Sequence, residues 1–125
     1  TVPASSTIAV SIGSSTTSYE GLKSLKESKG TAVSVTDDEI MTMQRILAST
    51  EGMYAEPSSV ASVAAAKKLA QEGNTERDEV IVCEITSGGL KDPDSTGEFY
   101  RELPVLEPDW PALVDFMKEH YELAI

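Results

Sequence analysis

A nearly continuous apolar run, EVIVCEIT at residues 79–86, constrains the fold more than any other stretch of the chain. It has the length of a β-strand, and apolar side chains stand at both odd and even positions, so both faces of such a strand need cover. Glu84 is the one polar residue inside the run. Strands covered on both faces are typical of parallel sheets with helices packed on each side. The run therefore predicts an α/β fold.

Capping signals divide much of the remaining chain into helices. Thr17 with Glu20, and Thr36 with Glu39, match the capping box, in which a Thr hydroxyl and a Glu carboxylate satisfy free N–H groups at a helix start. Gly30 is expected to end the first helix as its C′ residue. The predicted helices are 18–28, 37 to about 50, 57–73 and about 110–121, with apolar stripes at Tyr19, Leu22 and Leu25, at Ile40, Met43 and Leu47, and at Leu113, Phe116 and Met117.

Two further segments are candidates for strands. TAVSV, residues 31–35, alternates in polarity and is rich in β-branched residues, which predicts a strand. TIAVSI, residues 7–12, is either a short strand or the end of a loop. Two or three strands are few for a parallel sheet whose faces both need cover. The chain is therefore expected to be a piece of a larger domain.

Composition argues against several classes of function. With 21 acidic against 10 basic residues the formal net charge is −11, and a surface this acidic disfavours nucleic-acid binding. No apolar stretch approaches the roughly 20 residues of a membrane helix, and the first residues lack the basic region of a signal peptide. The single cysteine, Cys83, is expected to act as a small buried hydrophobe. We therefore expect a cytoplasmic protein without nucleic-acid or membrane partners.

Acidic clusters offer no convincing metal site. Residues 92–97, DPDSTG, match the first half of a calcium loop, but the position that needs a carboxylate is occupied by Leu103. The three acids at 37–39 lie in the first turn of a predicted helix, where they offset the helix dipole. His120 is expected to be a solvated or packing residue near a helix end. The sequence therefore predicts no metal.

The TSGG stretch that follows the apolar run is the candidate binding site. The chain has no G-x-S-x-G, Walker A or G-x-G-x-x-G motif. In open α/β sheets, ligands bind at the carboxyl ends of strands. Thr86, Ser87, Gly88 and Gly89 stand at that end of the predicted strand, and the two glycines let the backbone approach a ligand closely.

Two stretches together resemble the C-terminal portion of threonine synthase. STEGMYAEPSSVASVAAAKKL, residues 49–69, is similar to the family's E-G-[IM]-[FY]-x-E-P-[AS]-S helix entry. VCEITSGGLKDPD, residues 82–94, is similar to its T-G-x-G-L-K-D-P strand end, with Ser87 where the family usually has Gly. TIAVSIG, residues 7–13, imperfectly resembles a third segment of the family.

The resemblance implies a fold and a domain organisation. The implied fold is α/β, part of the parallel-sheet, three-layer domain of fold type II pyridoxal phosphate (PLP) enzymes, similar to tryptophan synthase β, with a C-terminal helix. A single domain would cover residues 1–125. Its family-like core would be 7–95, and its tail would be 96–125 with a helix at about 110–121.

The resemblance also implies PLP as cofactor and a role for each candidate residue. The Thr86 hydroxyl would lie near the pyridine nitrogen of PLP, Glu56 would line the pocket near the ring, and Ser87, Gly88 and Gly89 would complete the cofactor-binding residues. Lys91 is a turn residue rather than the Schiff-base lysine, which lies upstream in the family. The chain therefore contains no implied catalytic residue.

The implied activity belongs to a longer parent enzyme, which converts O-phosphohomoserine and water to L-threonine and phosphate. The chain is expected to be a C-terminal fragment of it, inactive alone, and the protein is expected to form homo-oligomers. Two alternatives stay open at this stage. One is another fold type II PLP lyase, such as a threonine or serine dehydratase or a relative of cysteate synthase. The other is a non-catalytic, stand-alone module for small-ligand binding or dimerisation.

Overall fold

A computed structural model of the protein describes residues 6–100 and 105–121. Leu103 and both ends of the predicted domain lie outside this part. The α-helices are α1 (Tyr19–Ser28), α2 (Asp37–Glu51), α3 (Pro57–Gln71), α4 (Pro93–Phe99) and α5 (Trp110–Tyr121), and 3-10 turns lie at Val10–Ile12 and Gly89–Lys91. Within the same part of the chain, no helix has the length and apolar character needed to cross a membrane.

Helices α2 and α3 pack against each other and form the core. Ile40 and Met43 of α2 are buried in one cluster with Val60 and Ala64 of α3, and Leu47 packs against its edge. The small alanine side chain lets the two helices approach closely, so that the larger side chains of α2 fill the space between them. The predicted apolar stripe of α2 is therefore confirmed.

The predicted capping box at the start of α2 is present. The Glu39 N–H donates to Thr36 Oγ1 over 3.2 Å, and the Thr36 N–H donates to Glu39 Oε2 over 2.6 Å. The Thr36 N–H lowers the pKa of the Glu39 carboxyl, because the hydrogen bond favours the ionised form. Asp37, in the same turn, accepts a hydrogen bond of 2.6 Å from the Thr7 hydroxyl. The first turn of α2 therefore also fixes the segment around Thr7.

Helix α1 matches its predicted range, but both capping residues differ by one position. Ser18, not Thr17, is the N-cap, and its hydroxyl accepts a hydrogen bond of 3.2 Å from the Gly21 N–H. At the other end Lys29, not Gly30, takes the left-handed conformation, with φ 55°. The Gly30 N–H bonds to the carbonyl of Leu25 over 3.0 Å, which closes the last turn. No residue of α1 is buried.

The predicted strands are corrected by the structure. In the described ranges no β-strand forms, and pairing is limited to one isolated antiparallel bridge between Ala55 and Gly88. A strand requires a hydrogen-bonded neighbour, whereas residues 83–87 are hydrogen-bonded to α3. Residues 31–35 form no ladder either, and residues 7–12 contain a 3-10 turn. The parallel sheet is therefore not confirmed, although the four predicted helices are present.

The apolar run is covered on one face only. Cys83 and Ile85 are half-buried, and Ile85 packs against the core. The alternate positions are open, since Val80 and Val82 are 91% and 88% exposed. The expectation that both faces of this run are covered is therefore wrong for the described residues.

Helix α4 was not predicted, although its capping signal is visible in the sequence. Asp92 is the N-cap: its carboxylate accepts hydrogen bonds from the N–H and the hydroxyl of Ser95, and Pro93 occupies the first helical position. At the far end, the Tyr100 hydroxyl donates to the carbonyl of Met41 over 2.8 Å and so joins α4 to α2. Burial raises the pKa of the Tyr100 phenol.

Helix α5, Trp110–Tyr121, lies where the sequence predicts a final helix. Its cap is the predicted one, because the Ala112 N–H donates to Asp109 Oδ2 over 3.1 Å. His120 stacks on Phe116, with ring centroids 4.2 Å apart, and its Nδ1 lies 3.1 Å from the Phe116 carbonyl oxygen. His120 is thus occupied within its own helix.

Candidate functional site

Residues 83–89 run antiparallel to α3 and to the segment that precedes it. Cys83 and Glu84 meet Ser62, Thr86 and Ser87 meet Ser59, Ser87 also meets Glu56, and Gly89 meets Tyr54. The residue numbers of these partners fall from 62 to 54 as the numbers in the segment rise from 83 to 89, so the two stretches run in opposite directions. The small Ser side chains at positions 59 and 62, three apart, lie on one face of α3 and admit this close approach. The candidate residues are therefore held by the N-terminal half of α3.

The Thr86 hydroxyl is held at the surface by a buried serine. Thr86 Oγ1 lies 3.0 Å from Ser59 Oγ, and the Ser87 N–H donates to the same Ser59 oxygen over 2.9 Å. Ser59 is only 3% exposed, whereas Thr86 is exposed. The pair ties the alcohol of an exposed residue to a buried serine.

Glu56 is buried beneath the turn. It is 4% exposed, and its Oε2 lies 3.3 Å from Lys91 Nζ, the ammonium of the 3-10 turn. Its backbone N–H donates to the Ser87 carbonyl over 3.1 Å. Loss of the Lys91 ammonium would leave a carboxylate in a poorly solvated position without its positive partner, which is costly. Glu56 and Lys91 together therefore fasten the turn to the start of α3.

Gly88 and Gly89 have different surroundings. Gly89 is buried, its N–H donates to the Tyr54 carbonyl over 2.9 Å, and a Cβ at this position would overlap the Tyr54 ring. A Cβ at Gly88 would meet only the Tyr54 carbonyl oxygen, at 3.9 Å, an ordinary contact. Packing against Tyr54 therefore explains why residue 89 is a glycine. Gly88 leaves open surface two residues beyond Thr86.

A hydrogen-bond relay supports the turn from below. The Tyr54 hydroxyl donates to Thr96 Oγ1 over 2.9 Å, and Thr96 donates to Gln44 Oε1 over 3.2 Å. The Gln44 amide then donates to the Ala55 carbonyl over 2.8 Å. Gln44 is 1% exposed, so loss of any of its hydrogen bonds would leave an unpaired polar group in the low-dielectric interior, which is costly. The relay connects α2, α4 and the residues that precede Glu56.

The structure brings together all five predicted site residues, Glu56, Thr86, Ser87, Gly88 and Gly89. Three supporting residues were missed: Ser59, Tyr54 and Gln44. Ser59 had a visible signal, because Pro-Ser-Ser opens a helix and the second Ser stands three residues before Ser62. Tyr54 also had a signal, because it stands at the [FY] position of the E-G-[IM]-[FY]-x-E-P-[AS]-S helix entry. Gln44 had none, since a Gln on a helix is an ordinary surface residue.

A large cleft lies away from the predicted site residues. It has a volume of about 720 Å³ and is lined by the first turn of α2, including Thr36 and Asp37, and by Ala61 and Ser62 of α3. None of the predicted site residues lines it. Ser62 faces this cleft and also donates to the Glu84 carbonyl over 3.2 Å, so the cleft and the candidate site share one helix.

Comparison with known proteins gives consistent matches. Residues 1–87 match the family described as pyridoxal-phosphate dependent enzyme. The chain is 41% identical over 111 residues to a threonine synthase of Methanocaldococcus jannaschii, which covers 89% of this chain and 27% of that protein. It is 41% identical over 105 residues to a threonine synthase of Methanosarcina acetivorans, covering 84% and 26%.

A more distant relative shows the same proportions. The threonine synthase of Mycobacterium tuberculosis is 33% identical over 100 residues, which is 80% of this chain and 27% of that protein. The chain spans about a quarter of the length of these curated relatives. The resemblance to threonine synthase is therefore confirmed over most of the chain.

Proposed function

The chain belongs to the pyridoxal-phosphate dependent enzyme family, and from this premise we propose that it forms one wall of the cofactor site of a threonine synthase. The proposed reaction of the whole enzyme is the conversion of O-phosphohomoserine and water to L-threonine and phosphate. When bound, PLP supplies the electron sink for this chemistry. The proposal is supported by the names of the relatives and by the arrangement of the turn at residues 86–91.

The residues of the turn fit the pyridine end of the cofactor. A pyridine nitrogen needs a small hydrogen-bonding partner at the edge of a flat ring. The Thr86 hydroxyl is such a partner, because it is exposed and fixed by buried Ser59, and Gly88 nearby adds no side chain. A neutral hydroxyl, unlike a carboxylate, does not favour a protonated ring nitrogen. We assign Thr86 to that nitrogen.

The remaining candidate residues hold this hydroxyl in place. Ser87 is anchored at both backbone polar groups, to Ser59 and to Glu56. Glu56 is ion-paired with Lys91 and lies beneath the turn, so its contribution to the pocket is to fix the turn. Gly89 allows the turn to lie against the Tyr54 ring. Ser87, Gly88 and Gly89 are thus assigned to the cofactor wall, with Glu56 below it.

Two further features belong to the same proposal. Exposed Val80 and Val82 leave apolar surface that copies of the isolated chain would bury by associating, which supports a homo-oligomer of the chain by itself. The substrate is a small molecule, and cytoplasmic location follows from the proposed biosynthetic role. The single structural observation that carries the proposal is exposed Thr86 beside Gly88, with its hydroxyl oxygen 3.0 Å from Ser59 Oγ.

Substitution of Thr86 tests the proposal. In the full-length enzyme that contains this sequence, Thr86→Val removes the hydroxyl and leaves the ring nitrogen without its partner, at a cost on the order of 1–3 kcal/mol. PLP affinity is expected to fall. Turnover is expected to slow by about 5- to 150-fold if the loss falls wholly on the transition state. Affinity is measured by cofactor fluorescence, and turnover by phosphate release.

Thr86→Ser is the matched control, because it keeps the hydroxyl and removes only a methyl group. It is expected to retain most of the affinity and the activity. A Thr86→Val enzyme that equals the unmodified enzyme in both measurements would show that Thr86 does not contact the cofactor.

A further inference from the structure

Two hydrogen-bonding groups, the Ser87 N–H and the Thr86 hydroxyl, meet at the Ser59 hydroxyl. The Ser87 N–H can only donate, so Ser59 Oγ accepts that bond of 2.9 Å. Thr86 Oγ1 lies 3.0 Å from the same oxygen. A serine hydroxyl has one proton and two lone pairs, and one lone pair is already used. In the second bond, either Ser59 donates to Thr86 or Thr86 donates to Ser59.

Burial decides that direction. Ser59 is 3% exposed. If Thr86 donated, Ser59 would accept two bonds, and its own proton would be buried with no acceptor among the contacts of its oxygen. Buried donors without a partner are rare and costly. If Ser59 donates to Thr86, every polar group of the buried residue is satisfied. The exposed Thr86 hydroxyl then keeps its own proton for an external acceptor.

We propose that Ser59 is a positioning residue that makes Thr86 a hydrogen-bond donor toward the ring nitrogen of PLP. This inference rests on the proposed function of Thr86 and assigns the direction of its hydrogen bond. A donating hydroxyl pairs with an unprotonated pyridine nitrogen, because that atom offers a lone pair and no proton. The buried serine thus selects the neutral form of the ring without touching it.

A pair of serine substitutions on α3 tests the inference in the full-length enzyme. Ser59→Ala removes the donor to Thr86, and the Thr86 proton is then free to turn away from the ring. PLP affinity is expected to fall about 3- to 10-fold, the equivalent of one neutral hydrogen bond. The absorption maximum of the bound cofactor is expected to shift. Thermal unfolding without PLP separates this effect from a loss of stability.

Ser62→Ala is the matched control, because Ser62 also holds the segment to α3 but bonds to the Glu84 carbonyl rather than to Thr86. It is expected to leave PLP affinity within about twofold and the spectrum unchanged. Ser59→Cys keeps the shape of the side chain and donates only weakly. If the Ser59→Ala protein does not fold, Ser59→Cys replaces it, and its PLP affinity is expected to lie between that of the unmodified enzyme and the loss of about 3- to 10-fold expected for Ser59→Ala.

The double variant Ser59→Ala with Thr86→Val separates positioning from anchoring. If Ser59 acts through Thr86, its substitution has no further effect on PLP affinity once the Thr86 hydroxyl is gone. An equal effect in both backgrounds, or an equal effect of Ser62→Ala, would overturn the inference and leave Ser59 as an anchor. If Thr86→Val weakens PLP binding and Ser59→Ala does not, this inference alone fails. If Thr86→Val has no effect, the proposed function fails with it.

Discussion

Gly88 and Gly89 are adjacent residues that lack a side chain for different reasons. Gly89→Ala would place a methyl group in the Tyr54 ring, and such overpacking typically costs about 1–3 kcal/mol. Gly88→Ala meets no close neighbour and is expected to leave the free energy of unfolding unchanged within about 0.5 kcal/mol. Denaturant unfolding of the two variants measures the difference. Equal stability of both would contradict the packing described around Tyr54.

Candidate site residues that stand in sequence motifs could be predicted, but the buried Gln44 that supports them could not. Glu56 and Thr86 can be predicted as candidate site residues because each stands in a distinctive sequence motif, EGMYAEPSS and TSGGLKDP. Gln44 was missed because its amide is satisfied by Ala55 and Thr96, residues 11 and 52 positions away in the chain. No periodicity marks a polar side chain that is buried for its hydrogen bonds. Such residues become visible only when the folded partners are known.

At the level of elements, the capping box of α2 provides a pH-dependent prediction. Thr36→Ala removes the N-cap hydroxyl and is expected to destabilise the protein by about 1 kcal/mol. The hydrogen bond from the Thr36 N–H lowers the folded-state pKa of Glu39 below its unfolded value. The stabilisation of the folded state by this hydrogen bond is therefore present above the unfolded-state pKa of Glu39. It is lost as the pH falls through the folded-state pKa of Glu39.

Thermal unfolding at neutral and acidic pH measures both effects. Thr42→Ala, an exposed substitution of the same type inside α2, is the control and is expected to be neutral or slightly stabilising. If Thr36→Ala is no more destabilising than Thr42→Ala at neutral pH, the cap does not stabilise α2.

Helices were predicted better than strands because their signals are local. Each helix signal involves residues only a few positions apart, and the structure contains the cap at Thr36, the cap at Asp109 and the apolar stripe of α2. A strand depends on a partner from elsewhere, and residues 79–86 find none among the described residues. Helix α4 was not predicted, because its capping aspartate also fits a calcium loop and the L-K-D-P motif, both of which indicate a turn.

At the scale of the whole molecule, the isolated 125-residue chain is expected to lack threonine synthase activity. The covalent step needs a positioned, activated amine, and no lysine here has the context of the family's Schiff-base lysine. The purified chain is mixed with PLP and O-phosphohomoserine, and phosphate release is followed. The rate is expected to equal that of PLP without protein. Turnover clearly above that background would refute the prediction.

The bond between Ser59 and Thr86 joins residues 27 positions apart, and this separation affects the order of assembly. Helix α3 closes its backbone hydrogen bonds within each turn, whereas the 83–89 turn reaches it only after an intervening loop has been closed, at an entropic cost. Contacts of this kind form late and open early. If Thr86 contacts the cofactor as proposed, we expect residues 83–89 to separate from α3 before α2 and α3 unfold, and bound PLP to stabilise the closed arrangement.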